Sequence, residues 1–127
     1  MAAGEVLIDT CVIVDFSRGR REAREFLDQL TGALFVSVMS AAELFGGVRE
    51  GRERAWLDGW LNEVIVVPID AATARTGGLF WRDYRASHGT GLIDALIAAT
   101  AHHHRLRLAT RNARHFPMVR ELLVPYP

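Results

Sequence analysis

Short apolar runs alternate along this chain with longer stretches of helical periodicity. Val6-Leu7-Ile8 is a compact apolar run that stops at Asp9-Thr10, and residues 12–16 then read as the opening turns of a helix. Residues 20–30 set Ala23, Phe26, Leu27 and Leu30 at helical spacing with charges between them, an apolar stripe that ends at Thr31-Gly32. Residues 34–38 form a second strand. Ser40 opens a helix that carries Glu43, Leu44 and Val48 and breaks at Glu50-Gly51. Residues 52–62 continue as helix, 64–67 are a third strand closed by Pro68, and 71–85 are another helix followed by a polar loop over 87–91. Residues 92–103 are a strongly apolar helix, 106–109 a fourth strand, and Leu122-Leu123-Val124 an edge strand before Pro125.

Strands separated by helices in this order predict an α/β fold with a mostly parallel sheet covered on both faces. The 127 residues contain no repeat, low-complexity tract or flexible linker, so a single domain over 1–127 is expected. In open α/β sheets, ligands collect outside the carboxyl ends of the strands. Asp9 directly follows the first strand, Glu43 follows the second by a few residues, and Thr110-Arg111-Asn112 directly follows the fourth.

Composition narrows the chemistry. Half of the residues are hydrophobic and 24% are charged, a balance of packed proteins and not of disordered tails. No apolar run reaches the roughly 20 residues of a membrane span, and Met1-Ala2-Ala3-Gly4-Glu5 has no basic leader, so a cytoplasmic protein without a membrane partner is expected. Cys11 is the sole cysteine, which excludes an internal disulfide and a Cys-x-x-Cys zinc site and leaves oxygen ligands for any metal. Fifteen acidic and fifteen basic residues balance, so nucleic-acid binding has to come from local patches. All fifteen basic residues are arginine. Guanidinium forks suit phosphate, although the codon usage of a GC-rich genome accounts for the missing lysine more simply.

The acids differ in how readily a structural role explains them. Asp9 alone reads as an N-cap. Glu43 alone completes a capping box with Ser40, reaching back to the Ser amide. Asp94 sits in Leu92-Ile93-Asp94-Ala95-Leu96-Ile97-Ala98-Ala99, where nearly every neighbour is expected to be buried, and a carboxylate there needs a partner. A first-turn dipole supplies only about 0.3–1 kcal/mol, so a metal is the stronger explanation. Three carboxylates at one sheet edge make a hard anionic site that suits magnesium, which keeps several waters and is held by one or two carboxylates together with substrate phosphates. Such an ion neutralises phosphate charge and acidifies an attacking water, as phosphodiester hydrolysis requires.

Asp9-Thr10, the Ser-x-x-Glu-Leu element over 40–44, the block from Asp94 to Ala101, and Leu108-Ala109-Thr110-Arg111-Asn112 followed by His115-Phe116 together resemble the PIN domain, and more narrowly the VapC-type toxins of bacterial toxin–antitoxin pairs. The resemblance spans essentially the whole chain. It implies a three-layer, doubly wound sandwich, with Asp9, Glu43 and Asp94 as catalytic and metal-holding acids for magnesium, manganese being the alternative ion. It also implies endoribonuclease activity on RNA, a homodimer, and inhibition by a cognate VapB-type antitoxin. Many members carry a fourth acid where this chain has Asn112, whose carbonyl can hold a water of the ion's shell but brings no charge, so a second metal would be held less tightly. Cys11 stands where a small hydroxyl or amide residue is frequent and is read as a buried, inert thiol.

Thr10 and Thr110 are candidate supporting hydroxyls beside the acids, with Asn112. Arg111 and Arg114 are candidates for RNA phosphate contacts. Asp15, Asp70 and Asp83 read as helix-surface, cap-like and solvated residues. His102-His103-His104 point in different directions from one helix and cannot share an ion, so they read as a helix-end cluster. Trp56, Trp60, Phe80 and Trp81 fit core or dimer contacts better than base stacking. A phosphoacceptor receiver domain, the first rival, needs a lysine that this chain lacks. A dinucleotide site fails because Asp94 occupies the third glycine position after Gly89 and Gly91, and no strand precedes them. A catalytically inactive relative kept for protein binding is the remaining alternative, and metal-dependent cleavage separates it from an enzyme.

Overall fold

Val6, Leu7 and Ile8 are all fully buried, the first and third facing one core cluster and Leu7 the other, so the strand they form requires cover on both sides. The computed structural model describes residues 5–127; residues 1–4, part of the segment expected to lack a basic leader, lie outside them. In chain order the elements are β1 (Val6–Ile8), α1 (Thr10–Ser17), α2 (Arg21–Gln29), β2 (Leu34–Ser37), α3 (Val38–Gly47), α4 (Arg52–Glu63), β3 (Ile65–Val67), α5 (Ala71–His88), α6 (Leu92–His104), β4 (Arg107–Ala109) and β5 (Leu122–Leu123). A single 3₁₀ turn, Ala113–His115, lies between the last two strands.

The five strands are ordered β3-β2-β1-β4-β5, and every pairing is parallel. The sheet is therefore wholly parallel among the described residues, where the sequence pointed to a mostly parallel one. On one face, Ile13 of α1, Phe26 and Leu27 of α2, and Trp60 of α4 pack on Val6, Ile8 and Val36. On the other face, Ile97, Ala98 and Ala101 of α6 and Phe80 of α5 pack on Leu7 and Leu108. Each fully buried aliphatic side chain contributes roughly 1.5–3 kcal/mol relative to exposure. The result is the three-layer α/β sandwich.

Several boundaries differ from the sequence expectation, two of them for a reason visible in the capping. Ser37, not Ser40, caps α3: its Oγ accepts from the Met39 amide at 3.1 Å, so the helix begins at Val38, where β-branching had suggested strand. Helix α5 runs on to His88 and stops where Gly89 adopts φ 65°, a left-handed position that glycine takes without strain. Helix α6 lies close against α5 because Gly77 offers no side chain; a Cβ there would stand 2.6 Å from Leu96 Cδ2 and 3.2 Å from Leu96 Cα. This contact fixes the seat of the helix that carries Asp94.

The chain leaves β1 toward β2 on one side, and β4 lies on the other. The loops after β1 and β4 therefore diverge and open a crevice at the carboxyl edge of the sheet. Asp9 and Thr110 are the first residues beyond those two strands.

Candidate active site

Asp9 continues the line of β1, its amide donating to the Ala109 carbonyl at 2.9 Å, and then caps α1. Asp9 is 3% exposed, and both carboxylate oxygens are hydrogen-bonded: Oδ1 accepts from the Thr10 amide at 2.8 Å, and Oδ2 accepts from Thr110 Oγ1 at 2.7 Å and from Cys11 Sγ at 3.4 Å. Burial pushes its pKa above the ordinary carboxylate value; the bonds from Thr110, Cys11 and Thr10 oppose the rise, and the nearby charge of Asp94 adds to it. The cap and the buried acid are one residue.

Thr10 Oγ1 lies 2.7 Å from Glu43 Oε1 and 2.9 Å from Ser40 Oγ. A hydroxyl carries one proton and a carboxylate can only accept, so Thr10 donates to Glu43 and receives the Ser40 hydroxyl. The expected capping box is thus replaced. Ser40 is fully buried in the first turn of α3, and exposed Glu43 reaches across to α1 instead of back to a Ser40 amide.

Asp94 is the third residue of α6, and its Oδ2 accepts from the Gly91 amide at 3.2 Å, as the carboxylate half of a capping box. The same oxygen lies 3.4 Å from His115 Nδ1. The expectation of deep burial is corrected: the side chain is 27% exposed, because the helix buries Ala95 and residues 97–101 while Leu92 stays 45% exposed. What singles out Asp94 is its direction, toward the same cavity as Asp9.

Asp9, Glu43, Asp94 and Asn112 line one open cavity of about 320 Å³ together with Thr10, Cys11, Val14, Asp15 and Arg111. Thr110 stands just behind it, fully buried, donating to Asp9 and accepting from the Asn112 amide at 2.9 Å, so one hydroxyl ties the fourth-position residue to the first acid. Cys11 is half-buried and faces the cavity, a correction to the buried position expected. Burial first and the Asp9 charge second push its thiol up to about 11, so it stays protonated and inert at neutral pH. The donor set is accordingly oxygen. Among the described residues no three His, Cys, Asp or Glu side chains stand close enough together to hold an ion by themselves.

The domain model for the PIN domain matches residues 6–122. The chain belongs to the PIN-domain family. Over 126 residues it is 41% identical to "Ribonuclease VapC10" of Mycobacterium tuberculosis, covering 95% of this chain and 92% of that protein. It is 40% identical over 124 residues to "Ribonuclease VapC19" of the same species, covering 94% and 98%. Among solved structures it resembles a toxin–antitoxin complex from Klebsiella pneumoniae, with TM-score 0.82, 28% identity, and coverage of 95% of this chain and 98% of that one.

In this PIN domain two other expectations change. Asp15, read as a helix-surface residue, is a cavity-lining hub whose Oδ2 accepts from Tyr126 Oη at 2.8 Å, Arg111 at 3.0 Å and Arg20 at 3.3 Å. The signal available was its spacing, six residues after Asp9 on an otherwise apolar helix; the partner tyrosine 111 residues away gave none. Arg111 faces the cavity already paired, whereas Arg114 is exposed on the 3₁₀ turn and does not line it. Asp70 caps α5 through the Thr73 amide at 2.8 Å, and Asp83 is an exposed partner of Arg82, both as read from sequence. The three histidines end α6 as expected, His103 contacting Thr76 at 2.9 Å and His102 standing edge-on to Phe80. Trp60 is core, and Trp56 stacks on it at 5.8 Å while remaining 38% exposed. Among the described residues no helix is long and apolar enough to cross a membrane.

Proposed function

We propose that this chain is a magnesium-dependent endoribonuclease and the toxin member of a VapBC-type pair, acting as one domain over residues 1–127. The observation that carries the reading is the convergence of Asp9, Glu43 and Asp94 on one cavity at the switch point of the sheet, in a chain 41% identical to a ribonuclease. The three carboxylates are the residues that would hold the ion, magnesium or manganese, with Asn112 offering a neutral carbonyl beside them. A divalent ion bound there supplies neutralisation of phosphate charge and a more acidic attacking water.

The chain's own residues do the positioning. Thr110 and Thr10 fix the carboxylates of Asp9 and Glu43 by short bonds at 2.7 Å, so both acids are preorganised before substrate arrives. Asp9 is buried among three donors, which keeps its oxygens aimed at the cavity despite the cost of burying a carboxylate. Arg111 lines the same cavity and supplies positive charge where an RNA phosphate would lie.

A second groove of about 800 Å³ adjoins the acids and shares Val14 and Glu43 with their cavity; Trp56 and Leu57 of α4 and Leu44 of α3 form its apolar part. A peptide segment seated there lies across the approach to Glu43. This is the surface proposed for the antitoxin, and solved neighbours of this fold include a toxin–antitoxin complex. A homodimer is proposed as well, with exposed Val38 and Phe45 on α3 and Leu92 on α6 left to cover; light scattering giving a monomer mass at micromolar concentration would contradict it.

Incubating the purified protein with total cellular RNA, with magnesium or with chelator, and mapping the cut ends tests the enzymatic reading. Discrete, chelator-sensitive cuts are expected. Intact RNA at all magnesium concentrations would leave an inactive protein-binding module in its place.

A further inference from the structure

Arginine beside three carboxylates would ordinarily collapse onto them. Arg111 does not: its guanidinium donates to Asp15 Oδ2 at 3.0 Å, and Asp15 is its one ion-pair partner among the described residues. The same oxygen takes the Tyr126 hydroxyl at 2.8 Å and Arg20 at 3.3 Å. Tyr126 is 7% exposed, its ring lying under two guanidinium groups, Arg20 at 4.6 Å and Arg111 at 5.5 Å from the centroid. Arg20 in turn donates to the Pro127 carbonyl at 3.1 Å. Segments from α1, the start of α2, the loop after β4 and the stretch after β5 are thereby clasped at one point on the cavity wall.

Arg20 is paired with Glu22 at 3.6 Å as well as with Asp15, so two guanidinium groups meet two carboxylates here, and of the two only Arg111 lines the cavity. Arg111 has five N–H donors in a planar fork, and its single bond to Asp15 leaves others to meet a phosphate in two-point fashion.

We propose that Asp15, braced by the Tyr126 hydroxyl, is a positioning residue that holds Arg111 apart from Asp9, Glu43 and Asp94 and presents its guanidinium to the RNA phosphate. This rests on the reading that RNA occupies the acid cavity. Arg111 is the group that touches substrate; Asp15 and Tyr126 act through it.

The test is steady-state cleavage of a mapped oligoribonucleotide at saturating magnesium. Arg111→Ala, Asp15→Asn and Tyr126→Phe are expected to raise KM, Arg111→Ala by roughly 10-fold or more and the other two by roughly 3- to 10-fold, with kcat within about twofold. Arg111→Lys is expected not to restore KM, because an ammonium has no fork. The deciding comparison is the double variant: Asp15→Asn should add nothing in an Arg111→Ala background, since both act through one contact. An equal KM penalty in both backgrounds would show that Asp15 acts on structure generally and would overturn the proposal. If Asp15→Asn does not fold, Tyr126→Phe, which keeps the ring, takes its place in the same cycle. Wild-type cleavage that is lost in Asp94→Asn while Arg111→Ala leaves KM unchanged overturns this proposal alone. Absence of cleavage by the wild type overturns the RNA reading and this proposal with it.

Discussion

The Thr110 hydroxyl donates to Asp9 Oδ2 at 2.7 Å, joining the tips of β4 and β1 across the point where the chain reverses its direction of travel along the sheet. Both residues are buried, so the bond is shielded from competing water. Thr110→Val keeps the shape and removes the donor, leaving a buried carboxylate oxygen short of a partner. A loss of about 1–3 kcal/mol in folding free energy by urea titration is expected, together with weaker magnesium affinity. Thr110→Ser should retain both. Equal stability of the Val variant and wild type would show that the bond contributes nothing.

Asp9 costs stability when it is charged. Its pKa is raised in the folded protein, chiefly by burial, so the native state binds its proton more tightly than the unfolded chain does. Stability then falls as pH rises from the ordinary carboxylate value through the raised folded value, and the penalty is fully present above the latter. In chelator at neutral pH, Asp9→Asn is therefore expected to melt about 2–5 °C above wild type. The gap should close as pH falls below the ordinary carboxylate range. A gap independent of pH would assign the effect to something other than this charge. Adding magnesium or manganese should raise the melting temperature of wild type and not of the variant.

Asn112 marks the difference from a four-acid site. Its backbone N–H donates to Thr110 Oγ1 at 2.9 Å, and the residue lines the cavity. Asn112→Asp adds a charge at the same reach and is expected to strengthen manganese binding in calorimetry, while Asn112→Ala weakens cleavage. Identical metal affinity in wild type and both variants would place Asn112 outside the ion's surroundings.

Much of this arrangement is legible in the order of residues along the chain. The period of the apolar positions marks each strand and helix, and the acids stand out because a parallel sheet exposes the residues just beyond the carboxyl ends of its strands. Local rules misled where a distant partner competes. Ser40 and Glu43 have capping-box spacing, yet Thr10, 33 residues before Glu43, takes the carboxylate and Ser37 takes the cap. Asp94 was expected to be deeply buried from its apolar neighbours, but the first turn of α6 protrudes and only the following turns enter the core. Asp15 offers only its place on the helix after Asp9, because its partners Arg111 and Tyr126 come from beyond β4 and nothing in their spacing links them to it.

The central claim is that Asp9, Glu43 and Asp94 act together on RNA through a divalent ion, and the rate of oligoribonucleotide cleavage at saturating magnesium in the three single amide variants tests it most directly. Asp9→Asn, Glu43→Gln and Asp94→Asn are each expected to lower the rate by about 10²-fold or more with the circular dichroism spectrum unchanged, and chelator should abolish wild-type cleavage. Wild-type rates in a folded Asp94→Asn variant, or cleavage that persists in chelator, would contradict it.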